Sequence, residues 1–159
     1  FTPPVFNHDR SVGADYIEME RLEEAADEIA SHFIQVEEYE RTYFYQEDTA
    51  IHKFTYYKEI EGYPSTDKGN VWITSDGYVE LVSFMNTGIF DDIDIPVIDG
   101  KALDGIFYQS LGEEEVCSEI YERTLTLKDK ELYMYYFYSA TVGQDNPVTY
   151  GEEKYIKIP

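Results

Sequence analysis

From Asp15 the chain carries a helical repeat of apolar positions: Leu22, Ala26, Ile29 and Phe33 recur on one face, while Glu20, Glu23, Glu24, Asp27 and Glu28 fill the other. Acids in the first turn suit a helix N-terminus, and the pattern predicts a helix over 15–34. The period then shortens to two. Residues 39–46 and 50–61, rich in Tyr, Phe, Thr and Ile, read as a hairpin across Gln46-Glu47-Asp48. Glu61–Asn70, with two glycines and a proline, reads as a turn region. Residues 71–74 and 78–85 form a second hairpin around Asp76-Gly77, the strongest short-range hairpin signal. A connector over 86–100 leads to a second predicted helix at 100–112, capped by Asp99, with Leu103, Phe107 and Leu111 on one face. Strands follow at 118–128, 131–142 and 148–158.

The tetrapeptide Tyr-Glu-Arg-Thr occurs twice, at Tyr39–Thr42 and Tyr121–Thr124. Each copy follows a predicted helix, and the element order downstream is similar, so the repeat reads as a duplication. The expected fold class is α+β: an antiparallel sheet with helices packed on one face, built as two related helix-plus-strands units. Residues 1–14 are read as a linker, 15–98 as the first unit and 99–159 as a second, degenerate one. The two copies are then expected to superpose, with Tyr39 and Tyr121 at equivalent positions.

Charge changes the picture of partners more than of fold. With 33 acidic against 12 basic residues, the net charge is −21, a field that repels phosphates and anionic membrane surfaces. Nucleic-acid binding is therefore not expected. Three readings of the acidity remain: a well-hydrated surface, a surface for cations or a basic partner, and a mimic of nucleic-acid charge. The 16 tyrosines favour strands, whose faces a ring covers while its hydroxyl reaches water. The apolar stretch around Tyr133–Tyr138 is too short to span a bilayer, so this fragment is not expected to insert. The start at Phe1 and the linker-like FTPPVFNHDRSV read as a mature or excised piece, from which any anchor is expected to have been cut away.

Candidate chemistry is thin. His8, His32 and His52 lack the spacing of a zinc site or a catalytic triad. Cys117, the single cysteine, follows Glu113-Glu114-Glu115, which dulls a thiol, so it reads as a quiet, partly buried residue. Asp91, Asp92 and Asp94 offer carboxylates for a hard cation, without EF-hand spacing; the competing reading is a solvated acidic loop. On the predicted strand 131–142, Tyr133, Tyr135 and Phe137 share one face, with Met134, Tyr136 and Tyr138 on the other. One face packs on a helix; the first set is the candidate binding surface for a peptide or sugar. No cofactor is expected.

Over 54–84 the residues Gly62, Tyr63, Pro64, Asp67, Val71, Ile73, Asp76, Gly77, Val79 and Ser83 follow a strand–turn–strand–Asp-Gly–strand layout led by a helix. In this the chain resembles the PepSY superfamily and its YcdB/YcdC-type repeat, over about residues 20–85, with a degenerate second copy over 100–158. The resemblance implies a non-enzymatic, extracytoplasmic module of a bacterial cell-envelope protein that binds peptide or restrains a peptidase. It supplies no catalytic residues. The alternatives are a carboxylate-based hydrolase and an acidic decoy for a DNA-binding protein.

Overall fold

The computed structural model describes residues 17–143 and 145–159, so the linker expected over 1–14, and His8 with it, lies outside the described residues. The described residues divide into two compact units: unit 1 comprises those up to Lys58 together with Asp67–Thr87, and unit 2 comprises those of Glu59–Thr66 and Gly88–Pro159.

The elements are α1 (Met19–Ser31), β1 (Glu40–Gln46), β2 (Ile51–Ile60), β3 (Tyr63–Thr74), β4 (Val79–Met85), α2 (Gly100–Gln109), β5 (Glu115–Lys128), β6 (Glu131–Val142) and β7 (Val148–Lys157). The expected fold class needs correction. In place of helices on an antiparallel sheet in two related units, the chain forms an open, mixed seven-stranded sheet, with 51% of the described residues in strands and 18% in helical segments. Strand order is β1-β2-β3-β5-β6-β7, with β4 also pairing β3. The mixed character comes from β3, whose Ser65 pairs in parallel with Leu125 of β5 while its other pairings are antiparallel. A parallel pair needs a long crossover, here supplied by β4, the 86–99 connector and α2.

That pairing was hidden because Glu61–Asn70 read as a turn. The turn is only Glu61-Gly62, with φ of 53° and 80°, the positive pair that a tight two-residue hairpin requires. β3 begins at once after it, and its inward positions are Ser65, Asp67 and Gly69 before Val71 and Ile73. Three of the five buried positions of this strand thus carry no apolar side chain. Gly69 is filled from across the ladder by Phe84, its direct partner, whose ring lies 2.1 Å from where a Cβ would sit. Phe84 is held in turn by Phe33, stacked at 4.8 Å. Gly69→Ala is therefore expected to displace the Phe84 ring and cost about 1–3 kcal/mol, read as a lower midpoint in thermal or denaturant unfolding.

In unit 1, Leu22, Ala26, Ile29 and Ala30 of α1 pack with Phe54 and Tyr56 of β2 and Val71 and Ile73 of β3. The helix stops at Ser31, three residues before the predicted end, which places Phe33 beyond it and half-exposed rather than on its inward face. In unit 2, Leu103 and Phe107 of α2 pack with Leu125 of β5 and with Met134, Tyr136 and Tyr138 of β6. Asp99 caps α2 as expected, its Oδ1 accepting from the backbone N–H of Lys101 and Ala102 at 3.1 Å each. Among the described residues no helix is long and apolar enough to cross a membrane.

The repeated tetrapeptide marks a recurring local clamp. The first copy opens β1, whereas the second lies in mid-β5, where the ladder shifts register between Ile120 and Glu122. Tyr39 donates its hydroxyl to the fully buried Asp67 at 2.7 Å; Tyr121 is exposed beside Phe137. These two tyrosines do different work. The arginines do the same work: Arg41 grips Asp27 of α1 with two bonds of 2.8 Å, and Arg123 grips Asp104 of α2 at 3.0 and 2.9 Å. Each aspartate also accepts a hydroxyl from the tyrosine directly opposite the arginine, Tyr56 at 2.7 Å and Tyr136 at 2.9 Å.

Candidate functional site

β6 builds the candidate surface by simple alternation. Met134, Tyr136 and Tyr138 are buried in the core of unit 2, which turns Tyr133, Tyr135 and Phe137 to the opposite face. Three rows cross that face: Thr126–Tyr133–Lys157, Thr124–Tyr135–Tyr155 and Glu122–Phe137–Glu153. Sequence reasoning named the three residues of β6; it missed Tyr155 and Tyr121, which the ladder brings beside them. Tyr135 meets Tyr155 at 5.3 Å between centroids and Phe137 meets Tyr121 at 5.5 Å. Tyr121 and Tyr155 are 56% and 47% exposed, so the aromatic row ends in water rather than under another element of the described chain.

Charge frames these rings. Lys128 lies over the Tyr155 ring at 5.2 Å, and Lys157 and the Tyr133 hydroxyl both meet Glu131, at 2.5 and 3.2 Å. Thr124 gives its hydroxyl to Glu122. Partial burial, reinforced by the charges of Glu153 and Glu122, pushes the Tyr135 phenol up from its ordinary value. The surface is thus a set of neutral rings among the carboxylates Glu122, Glu131 and Glu153, with Lys157 paired to Glu131 and Lys128 over Tyr155 showing that a cation can sit on these rings. Gly151 keeps one end low, since a Cβ there would come within 3.0 Å of Phe137.

The other candidates stay apart from this face. Asp91, Asp92 and Asp94 are exposed on the connector after β4, around Phe90, which turns into the core. Among the described residues no three His, Cys, Asp or Glu side chains gather as a metal ion would need. Cys117 is half-buried, and its thiol is pushed up by burial and by the charge of Glu115, the reverse of an activated nucleophile. His32 is exposed just past the end of α1.

One constellation was invisible in the sequence. His52 of β2 lies 3.0 Å from the Tyr43 hydroxyl through Nδ1 and 2.9 Å from Ser75 Oγ through Nε2. Ser75 also reaches the Ala50 carbonyl at 3.2 Å. These contacts tie His52 of β2 to β1 through Tyr43 and to the β3–β4 turn through Ser75, and no carboxylate is among the ring's hydrogen-bond partners. Burial lowers the His52 pKa, which keeps the ring neutral.

Carboxylates tell the same story. Burial raises Asp104, but hydrogen bonds from Arg123 and Tyr136 outweigh it and leave the group below its ordinary value. Glu115 is lowered chiefly by the Tyr138 hydroxyl, and Glu131 chiefly by Lys157. A general acid working near neutrality needs the opposite displacement.

Compared with family profiles, curated proteins and solved structures, the chain matches none. The fold and surface define a β-rich sheet protein with an aromatic, acid-framed face. The PepSY resemblance stands on its quoted residues alone: Gly62 in the β2–β3 turn, Tyr63, Pro64, Asp67, Val71 and Ile73 in β3, Asp76 and Gly77 in the next turn, and Val79 and Ser83 in β4.

Proposed function

We propose that this chain is a non-catalytic binding module whose unit 2 face, Tyr133, Tyr135, Phe137 and Tyr155, docks a basic, extended segment of a protein partner. The observation that carries this reading is the register that lines up half-exposed rings beside Glu122, Glu131 and Glu153. Aromatic rings supply contact area at low entropic cost and attract lysine or arginine over their faces. An excess of acids adds long-range attraction for a basic chain. The PepSY resemblance contributes the setting, the outside of a bacterial cell with an envelope protein or peptidase as partner.

The test is titration of an alternating lysine–threonine peptide, with an alternating glutamate–threonine peptide as control. The lysine peptide is expected to bind and to weaken as salt rises, and the control to fail. Tyr135→Ala with Tyr155→Ala is expected to reduce affinity about tenfold, the loss of two exposed cation–π contacts with their packing. Equal binding of both peptides, or no effect of the double substitution on a folded protein, contradicts the proposal.

A further inference from the structure

We propose that β1 is a second docking element, one that accepts an added strand from a basic polypeptide of a different protein. Among the described residues β1 pairs only with β2, so one side of its backbone carries N–H and C=O groups without a ladder partner. Every residue from Glu40 to Tyr45 is exposed, including three consecutive aromatics: Tyr43 at 45%, Phe44 at 62% and Tyr45 at 37%.

Proteins ordinarily blunt such edges with charged side chains, lysine above all, with proline or with a bulge. The other strands that end the sheet carry such devices: β7 has Lys154 and Lys157, and the β3–β4 ladder shifts register between Trp72 and Ile73. β1 has no lysine, proline or bulge: its register with β2 runs unbroken from Glu40↔Tyr57 to Gln46↔Ile51, and its charged residues are Glu40 at its start and Arg41, which is turned to Asp27 and Glu23. An edge left this open invites a strand.

Charge selects the occupant. Glu37, Glu38, Glu47 and Asp48 flank the strand and Glu40 opens it; Glu38 meets Lys58 at 3.6 Å, which leaves the acids in excess. A second copy of this chain, paired antiparallel about Tyr43, would set Glu38 opposite Asp48 twice, like charges that destabilise a ladder, between molecules each of net charge −21. A basic strand meets the reverse situation. Main-chain hydrogen bonds would then supply affinity, and the acidic flanks would select lysine and arginine.

The experiment is amide hydrogen exchange on the whole chain with the alternating lysine–threonine peptide, alongside the same peptide N-methylated at every second residue. The unmodified peptide is expected to slow exchange at alternate amides of residues 40–46, those facing away from β2, by about tenfold or more. The N-methylated peptide, equal in charge but unable to complete a ladder, is expected to lose that protection. Equal protection by both peptides, no protection at 40–46, or protection without peptide that grows with protein concentration each overturns the proposal; the last would make a second copy the occupant. The unit 2 proposal is read separately, through Tyr135 and Tyr155, so either can fail alone.

Discussion

Phe107→Ala is expected to cost about 3–5 kcal/mol of stability, the range for emptying a fully buried aromatic site. Phe107 is 0% exposed, stacks on Tyr136 at 4.5 Å and 14°, and meets Tyr138 edge-on at 4.9 Å and 83°. The substitution removes both ring contacts, worth about 0.5–1.5 kcal/mol each beyond area, and leaves a cavity between α2 and β6. Stabilities of domains this size are only about 5–15 kcal/mol, so unit 2 is brought near or past its unfolding threshold. Phe107→Leu keeps most of the volume and is expected to lose much less. Denaturant unfolding followed by tyrosine fluorescence measures both; a loss below about 1 kcal/mol for the alanine variant would mean that α2 is not held by this ring.

Asp104→Ala is expected to cost about 2–3 kcal/mol. Most of that comes from Tyr136, whose side chain is fully buried and whose hydroxyl loses its acceptor; an orphaned buried donor costs about 1–3 kcal/mol. The lost pairing with Arg123, about a third exposed on both sides, adds no more than about 1 kcal/mol. The sign of the pH dependence follows from the lowered Asp104 pKa. A carboxyl depressed in the folded state contributes stability that is complete above its unfolded value, about 3.9, and is lost as pH falls through the folded value. The wild type is therefore expected to lose stability below about pH 4 more steeply than Asp104→Asn, which keeps an acceptor for Tyr136 but does not titrate. Parallel acid limbs for the two proteins would remove Asp104 from the account. The matching clamp in unit 1, Asp27 with Arg41 and Tyr56, makes Asp27→Ala an independent repetition.

What could be seen in the sequence was whatever repeats at the period of its element. β6 was legible because Met134, Tyr136 and Tyr138 alternate with Tyr133, Tyr135 and Phe137, and α2 because Asp99 precedes Leu103 and Phe107. β3 was not, because Ser65, Asp67 and Gly69 occupy its inward positions and the hydrophobic filler, Phe84, comes from the neighbouring strand. Missing the first half of β3 meant missing the parallel pair with β5, and so the mixed sheet. The clamps escaped for a related reason. Arg41 and Asp27 are 14 residues apart and Arg123 and Asp104 are 19 apart, separations that no helical or strand period connects. The repeated tetrapeptide did mark both arginines, but not the helix aspartates and opposite-strand tyrosines that complete each clamp. On the candidate face, Tyr155 and Tyr121 join Tyr135 and Phe137 only through register, which a single sequence does not reveal.

The most direct test of the binding account is an amide chemical-shift map of the whole chain, titrated with the alternating lysine–threonine peptide at low salt. The account predicts saturable shifts centred on Tyr133, Tyr135, Phe137 and Tyr155, with a second, separable set along residues 40–46. Shifts centred elsewhere, as on Asp91–Asp94, or a map that stays unchanged at saturating peptide, would contradict it.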